Sequence, residues 1–169
     1  MGEHTHHDKH EAHRQLTARL GQCAGDIRRL TAGLDEGSLS KHTVAGKWSL
    51  KELVCHLCRL QEVFEARIEK MLAEDNPSVA RYGDPDGDPE FVKLAARPAA
   101  ESLAGFFEGR SRLVARLEKL SPAEWHRAGR HSDFPHYDVH FQVEYMLHHE
   151  AHHIYQMYQR RAPLGKLPH

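Results

Sequence analysis

Ser49-Leu50-Lys51-Glu52-Leu53-Val54-Cys55-His56-Leu57-Cys58-Arg59-Leu60 opens the segment that decides the fold. Ser49 followed three residues on by Glu52 is a capping box: the serine hydroxyl accepts from the Glu52 amide while the Glu52 carboxylate accepts from the Ser49 amide. Apolar residues then return at Leu53, Leu57, Leu60, Phe64 and Ile68, the spacing of an amphipathic helix that runs to about Ala73. At about 100° per residue, Leu57, Leu60 and Phe64 fall within about 40° of Leu53, and His56 about 60° away on the same side. A histidine therefore stands at the margin of an apolar face. The C-x-x-C pair Cys55 and Cys58 falls about 160° and 140° from Leu53. Neither cysteine can easily join His56 in one site, and both read as packing or surface residues.

The same periodicity recurs outward in both directions. Leu16, Leu20, Cys23, Ile27, Leu30 and Leu34 predict a helix from about His10 to Leu34, with Gly33 and Gly37 as stops near its end. Prolines, glycines and aspartates crowd the stretch from Asn76 to Pro89, which predicts a loop, followed by a short helix from Pro89 to about Ala95. Leu103, Phe106, Phe107, Leu113, Leu117 and Leu120 mark a long helix from about Ala99 to Leu120, stopped by Ser121-Pro122. A polar, histidine-bearing connection spans Trp125 to Tyr137. The last helix is capped by Asp138, runs to about Arg161, and is closed by Pro163 and Gly165. Trp48 and Trp125 read as core plugs. No segment alternates like a strand. Four long helices with apolar faces bury them most simply against one another, so the fold class is all-α, a four-helix bundle. Residues 10–163 form its single domain, residues 1–9 a disordered histidine-rich leader or tag, and residues 164–169 a C-terminal tail.

Composition narrows the partners. The chain has 169 residues with 23 Lys+Arg against 24 Asp+Glu, and no basic stripe to attract nucleic acid. Apolar runs are only a few residues long, too short for a membrane span, and no secretion signal is visible. Three cysteines do not suggest a disulfide framework; reduced thiols in the cytoplasm fit better. The departure from ordinary composition is 16 histidines, the commonest protein metal ligand.

His148-His149-Glu150-Ala151-His152-His153 lies in the last helix and offers two i,i+4 pairs. With His149 at zero, Val143, Met146, Leu147, Ile154, Met157 and Tyr158 spread between about 60° and 180°, and His153 lies at about 40°, on the border of that face. His148 and His152 lie near 260° and 300°, roughly opposite. The inward pair is thus His149 and His153. With His56 they make three imidazoles that need a compensating partner when desolvated, and a metal ion satisfies their lone pairs. Glu150 falls about 100° from His149, toward the apolar face. It is either an acceptor for an imidazole N–H or the partner of a core arginine, with a partly solvated place at the bundle edge the plainer alternative. Tyr145 and Gln156 lie on the side of the histidine pair and are candidates to line a pocket.

His149-Glu150-x-x-His153 also matches the zinc-metalloprotease helix, with Glu150 as general base. The longer form of that motif has glycine and histidine where this chain has Gln156 and Gln159, and no acidic residue follows Glu150 to serve as a ligand. Gly46-Lys47-Trp48-Ser49-Leu50-Lys51-Glu52-Leu53-Val54-Cys55-His56-Leu57, by contrast, resembles the W-S-x-x-E-x-x-x-H-L signature of the DinB/YfiT superfamily. His149-Glu150-Ala151-His152-His153-Ile154-Tyr155-Gln156 resembles its closing H-[DE]-x-x-H-x-x-Q. The likeness extends from about His10 to Pro163. It departs at Pro135-His136-Tyr137-Asp138, where relatives often carry Gly-x-x-Thr.

The resemblance implies an up-down-down-up four-helix bundle with one divalent metal ion, zinc or nickel above all, on His56, His149 and His153. Three protein ligands leave a position open, as in catalytic metal sites. The activity it implies is transfer of a low-molecular-weight thiol (bacillithiol, mycothiol or glutathione type) to an electrophilic small molecule. A metal-dependent hydrolase of a small amide or ester, with Glu150 as proton acceptor, and a non-enzymatic, stress-related metal-binding bundle are the alternatives. A homodimer is the expected assembly.

Overall fold

The computed structural model describes residues 3–168, with side chains from residue 11 onward. Seven α-helices carry the described chain: α1 (Glu3–Thr31), α2 (Glu36–Ser40), α3 (Leu50–Ala73), α4 (Pro89–Ala96), α5 (Ala99–Leu117), α6 (Pro122–Trp125) and α7 (Val139–Arg161). Among the described residues no helix is long and apolar enough to cross a membrane. Four long helices, α1, α3, α5 and α7, make the bundle.

Side-chain pairings fix its topology. Along α3 and α5 the contacts advance together, from Cys55 with Ser102 to Gln61 with Arg110 and Glu69 with Arg116, so these helices are parallel. Along α3 and α7 they run oppositely, His56 meeting His153 and Arg67 meeting Gln142. Helices α1 and α5 are antiparallel too, Arg28 lying over Phe107 and the Leu20 carbonyl accepting from Arg110. The order is therefore up-down-down-up. Parallel neighbours need a long crossover, which the segment between α3 and α5 supplies.

Local signals explain the boundaries. The Ser49–Glu52 capping box forms as expected. Asp138 caps α7 through the Phe141 amide at 2.7 Å. Gly33, just past α1, has φ +72°, a left-handed conformation that glycine adopts without a Cβ clash. Two short helices were not anticipated. Asp35 caps α2, and Ser121 with Glu124 makes a second capping box on α6, both readable in principle from their S/D-x-x-polar spacing. At its other end α1 extends back to Glu3, so residues 3–9, set apart above as a leader, continue the helix; Met1 and Gly2 lie outside the described residues. Adding a turn to a formed helix costs far less than nucleating one.

The core has two apolar halves. Leu16, Leu20, Phe64, Ile68, Leu117 and Met146 belong to one, Ile27, Leu30, Leu53, Leu57, Phe106 and Met157 to the other. Between them, at one level on three helices, lie Gln61, Arg110 and Glu150, all buried. The tail also joins the core, as Leu164 and Leu167 pack on the second half. Cys55 and Cys58 are buried against α5, because α3 packs on two neighbours and so hides a wider arc than an edge helix would. Tyr158, assigned above to the buried face, is instead 46 % exposed.

Two irregular segments cap one end of α3. The connection after α6 bonds to the loop after α3, with the Val79 amide on the Arg130 carbonyl at 2.9 Å and the Arg130 amide on the Pro77 carbonyl at 2.8 Å. A Cβ on Gly129 would meet Met71 Sδ at 2.8 Å, so a larger residue here would force the buried Met71 side chain to shift. The loop is tied down again where Asp88 Oδ2 accepts from Arg59 Nε at 2.7 Å and from the Tyr82 hydroxyl at 3.0 Å.

Candidate metal centre

Helices α3 and α7 bring His56, His149 and His153 together. Each offers one ligand atom, and the three atoms lie within 4.8 Å of one another. The Nε2 atoms of His149 and His153 are 3.0 Å apart, close to the separation of two nitrogens that each stand about 2.0–2.1 Å from one ion. His56 and His153 are buried and His149 is half-buried. His148 and His152 of the same run are exposed, as the helical angles require.

Burial sets the charge state of the cluster. Desolvation lowers the His56 imidazole to about 4 and, with the neighbouring histidines, the His149 imidazole to about 3; burial lowers His153 as well. All three rings are therefore neutral at physiological pH, the form a metal requires. The Nδ1 atoms of His56 and His149 are buried and meet no hydrogen-bond partner among the described residues. A cluster of desolvated imidazoles whose ligand atoms lie within 4.8 Å of one another fits a divalent transition metal.

The same shifts predict a pH dependence. Unfolded histidine titrates near 6.5. Between about 6.5 and about 4 the unfolded chain binds protons that the folded His56 and His149 refuse, so stability falls as pH drops through that window. Urea midpoints of chelator-treated protein are expected to decline from pH 7 to 4.5, and less steeply in His149→Ala. Equal slopes in the two proteins would show that the imidazoles are solvated.

Gln156 does not face the open pocket. Its Oε1 accepts from His153 Nδ1 at 2.8 Å, and its Nε2 donates to His152 at 3.0 Å. The first bond holds the His153 tautomer whose Nε2 lone pair is directed at the cluster. Gln156→Leu is accordingly expected to weaken metal binding about 10–100-fold with little change in folding, read by competition with a chromophoric chelator. Unchanged affinity would reject the assignment.

Glu150 turns the other way. Its two oxygens are taken by Arg110, Oε2 at 3.0 Å from Nη1 and Oε1 bonded to Nη2. Arg110 also donates to the Leu20 carbonyl and to Gln61 Oε1, each at 2.8 Å. The core-arginine alternative is the one the structure contains. The roles of imidazole acceptor and of general base both call for a carboxylate oxygen at the histidines, and neither oxygen stands there. A sequence signal existed: Arg110 falls in line with Phe106 and Leu113 on the apolar face of α5.

Beside the cluster opens a pocket of about 290 Å³, lined by His56, His149, Phe64, Tyr145 and, from the two irregular segments, Tyr82 and Phe134. The Tyr145 ring stacks near His149, centroids 6.2 Å apart. Trp48 is half-buried, packs on the second half of the core as expected and also lies against His56, centroids 5.0 Å apart, while Trp125 is buried in the first half. A larger, more open depression of about 620 Å³ lies between the connection and the start of α7, and none of the three histidines lines it. Burial raises both cysteines of the C-x-x-C pair, Cys58 to about 11, so neither is a thiolate at neutral pH.

The profile of the DinB superfamily matches residues 19–157. The chain belongs to the DinB superfamily. Among solved structures it is similar to YfiT from Bacillus subtilis, with a TM-score of 0.77 and 18 % identity over 90 % of this chain and 87 % of that one. That protein is described as a probable metal-dependent hydrolase with an unusual four-helix bundle topology. At this identity the likeness speaks for the fold, which agrees with the up-down-down-up order. No curated protein matches the chain.

Proposed function

We propose that the protein is a metal-dependent enzyme that activates a low-molecular-weight thiol, of the bacillithiol, mycothiol or glutathione type, for attack on an electrophilic small molecule. The observation that supports it most is a cluster of three neutral imidazoles beside a pocket in which no carboxylate is free. His56, His149 and His153 are the residues to hold the ion. A zinc or nickel ion bound there supplies Lewis acidity, lowering the pKa of a coordinated thiol or water.

The surrounding residues favour the thiol. Water, with a pKa of about 15.7 against about 8.5 for a thiol, depends far more on a general base. Glu150 is held by Arg110, and Asp133 at the pocket wall pairs with Arg81 at 3.3 Å. Gln156 keeps the His153 lone pair directed at the cluster, while Phe64, Tyr82 and Tyr145 shield the reacting centre from water. Hydrolysis of a small amide or ester is the second reading, supported by the likeness to YfiT. Zinc- or nickel-loaded protein incubated with these thiols and 1-chloro-2,4-dinitrobenzene is expected to form the S-aryl conjugate: a sulfur–carbon bond forms, the carbon–chlorine bond breaks, and HCl is released. Metal-dependent cleavage of a 4-nitrophenyl ester without any thiol, and no conjugate, would favour the hydrolase instead.

A further inference from the structure

About three turns beyond His56 on α3, and on nearly the same face, stands Arg67. Its side chain leans toward the helix N-terminus, as long helical side chains do, and lines the same pocket as His56 and His149. Arg67 is only 8 % exposed, and its guanidinium is always charged. Among the described residues no carboxylate lies within 4.0 Å of it, whereas Arg81 in the same pocket pairs with Asp133 and Arg110 in the core pairs with Glu150. Arg160 and Arg161, buried at the end of α7, also meet only neutral acceptors but do not line this pocket. What Arg67 meets is neutral: the Ala80 carbonyl at 2.5 Å, Gln142 Oε1 at 3.4 Å, and the Phe64 ring at 5.4 Å. The Tyr137 hydroxyl, which donates to the same Gln142 oxygen, stands beside it. Its Nε–H is buried and meets no acceptor.

A buried cation without a counter-ion is costly. Of the other charged side chains lining the pocket, Arg81 and Asp133 pair with each other at 3.3 Å. The pocket therefore presents one guanidinium that has no carboxylate partner, on the same helix as His56, inside walls of Phe64, Tyr82, Phe134 and Tyr145. At about 290 Å³ it suits a ligand of one ring and a short chain.

We propose that Arg67 is the receptor for a carboxylate on the small molecule that enters this pocket, and that the ligand class is a small arylalkyl carboxylate. The guanidinium pairs with the carboxylate, the aromatic walls hold the hydrophobic part, and the opposite end of the ligand lies toward His56 and His149. Gln142, fully buried, positions the guanidinium by accepting from Nη1. The proposal rests on this pocket being the substrate chamber of the histidine centre, but the carboxylate is recognised without metal.

The test is calorimetric titration of chelator-treated, full-length protein with 3-phenylpropionate and with its neutral isostere 3-phenylpropionamide. The carboxylate is expected to bind about tenfold more tightly than the amide, because a charge-assisted hydrogen bond is about twice as strong as a neutral one. Arg67→Gln is expected to reduce that preference to about twofold or less, and Arg67→Lys to retain part of it. Equal binding of the two ligands by the parent protein would overturn the proposal, whatever the variants do and whether or not they fold. So would an undiminished preference in folded Arg67→Gln. A carboxylate preference in a protein without metal-dependent chemistry would uphold Arg67 and sink only the proposed reaction. Metal-dependent chemistry in a protein that ignores the carboxylate would do the reverse.

Discussion

Replacing Arg110 by alanine is expected to lower the unfolding free energy by about 3–5 kcal/mol. Both side chains of the Arg110–Glu150 pair are only 3 % exposed, so the variant leaves a carboxylate in the core with no counter-charge and no water. Gln61 and the Leu20 carbonyl lose a donor as well. A domain of this size has about 5–15 kcal/mol to lose, so the variant is expected to be marginal at 37 °C. Removing both charges together has a different sign of consequence. Arg110→Met with Glu150→Leu replaces the pair by apolar volume and is expected to lie near neutrality or to stabilise by about 1–4 kcal/mol. Urea denaturation of the two single variants and the double variant measures the coupling. If Arg110→Ala costs under about 1 kcal/mol, water reaches the pair and the polar layer is not a sealed one. The double variant also bears on function: a core ion pair can go without harm to the metal, whereas loss of metal-dependent activity with metal retained would restore Glu150 as a participant in the chemistry.

The second large effect is on metal binding. His149→Ala is expected to lower metal content from about one equivalent to near zero after dialysis against a weak chelator, an affinity loss greater than the ~10–100-fold of a lost outer partner. His149 is one corner of a triangle of rings, 5.4 Å from His56 and 4.4 Å from His153, which are themselves 4.7 Å apart, so its removal leaves two nitrogens that no longer enclose an ion. His148→Ala, on the exposed side of the same turn, is the control and is expected to keep its metal. Elemental analysis of protein without residues 1–9 removes the contribution of the leader histidines. Full metal content in His149→Ala would place the ion elsewhere.

Periodicity and capping carried the four long helices, because those signals act within a few residues of themselves: the Ser49–Glu52 box and the Asp138 cap bond within three positions. The inward direction of His149 and His153 was legible for the same reason, since a helix turns by a constant angle and the apolar residues mark which side is buried. The fate of Tyr158 shows where that logic ends. Apolar spacing placed it on the inner face, yet whether an outer border position is covered depends on which helix packs beside it.

By itself, then, the sequence determined that the chain is helical, where its long helices begin and end, and which histidines share a face. The tertiary structure alone decided what those faces meet. Glu150 finds Arg110 from α5, Gln61 joins them from α3, and Cys55 finds Ser102 on the same parallel neighbour. Arg67 is left without a carboxylate because none of the loops folded over it brings one that Arg81 has not already taken. Such pairings join residues tens of positions apart, where no local rule of spacing reaches. They follow from the crossover that sets α5 parallel to α3, and so from how the whole chain closes its two half-cores around one polar layer.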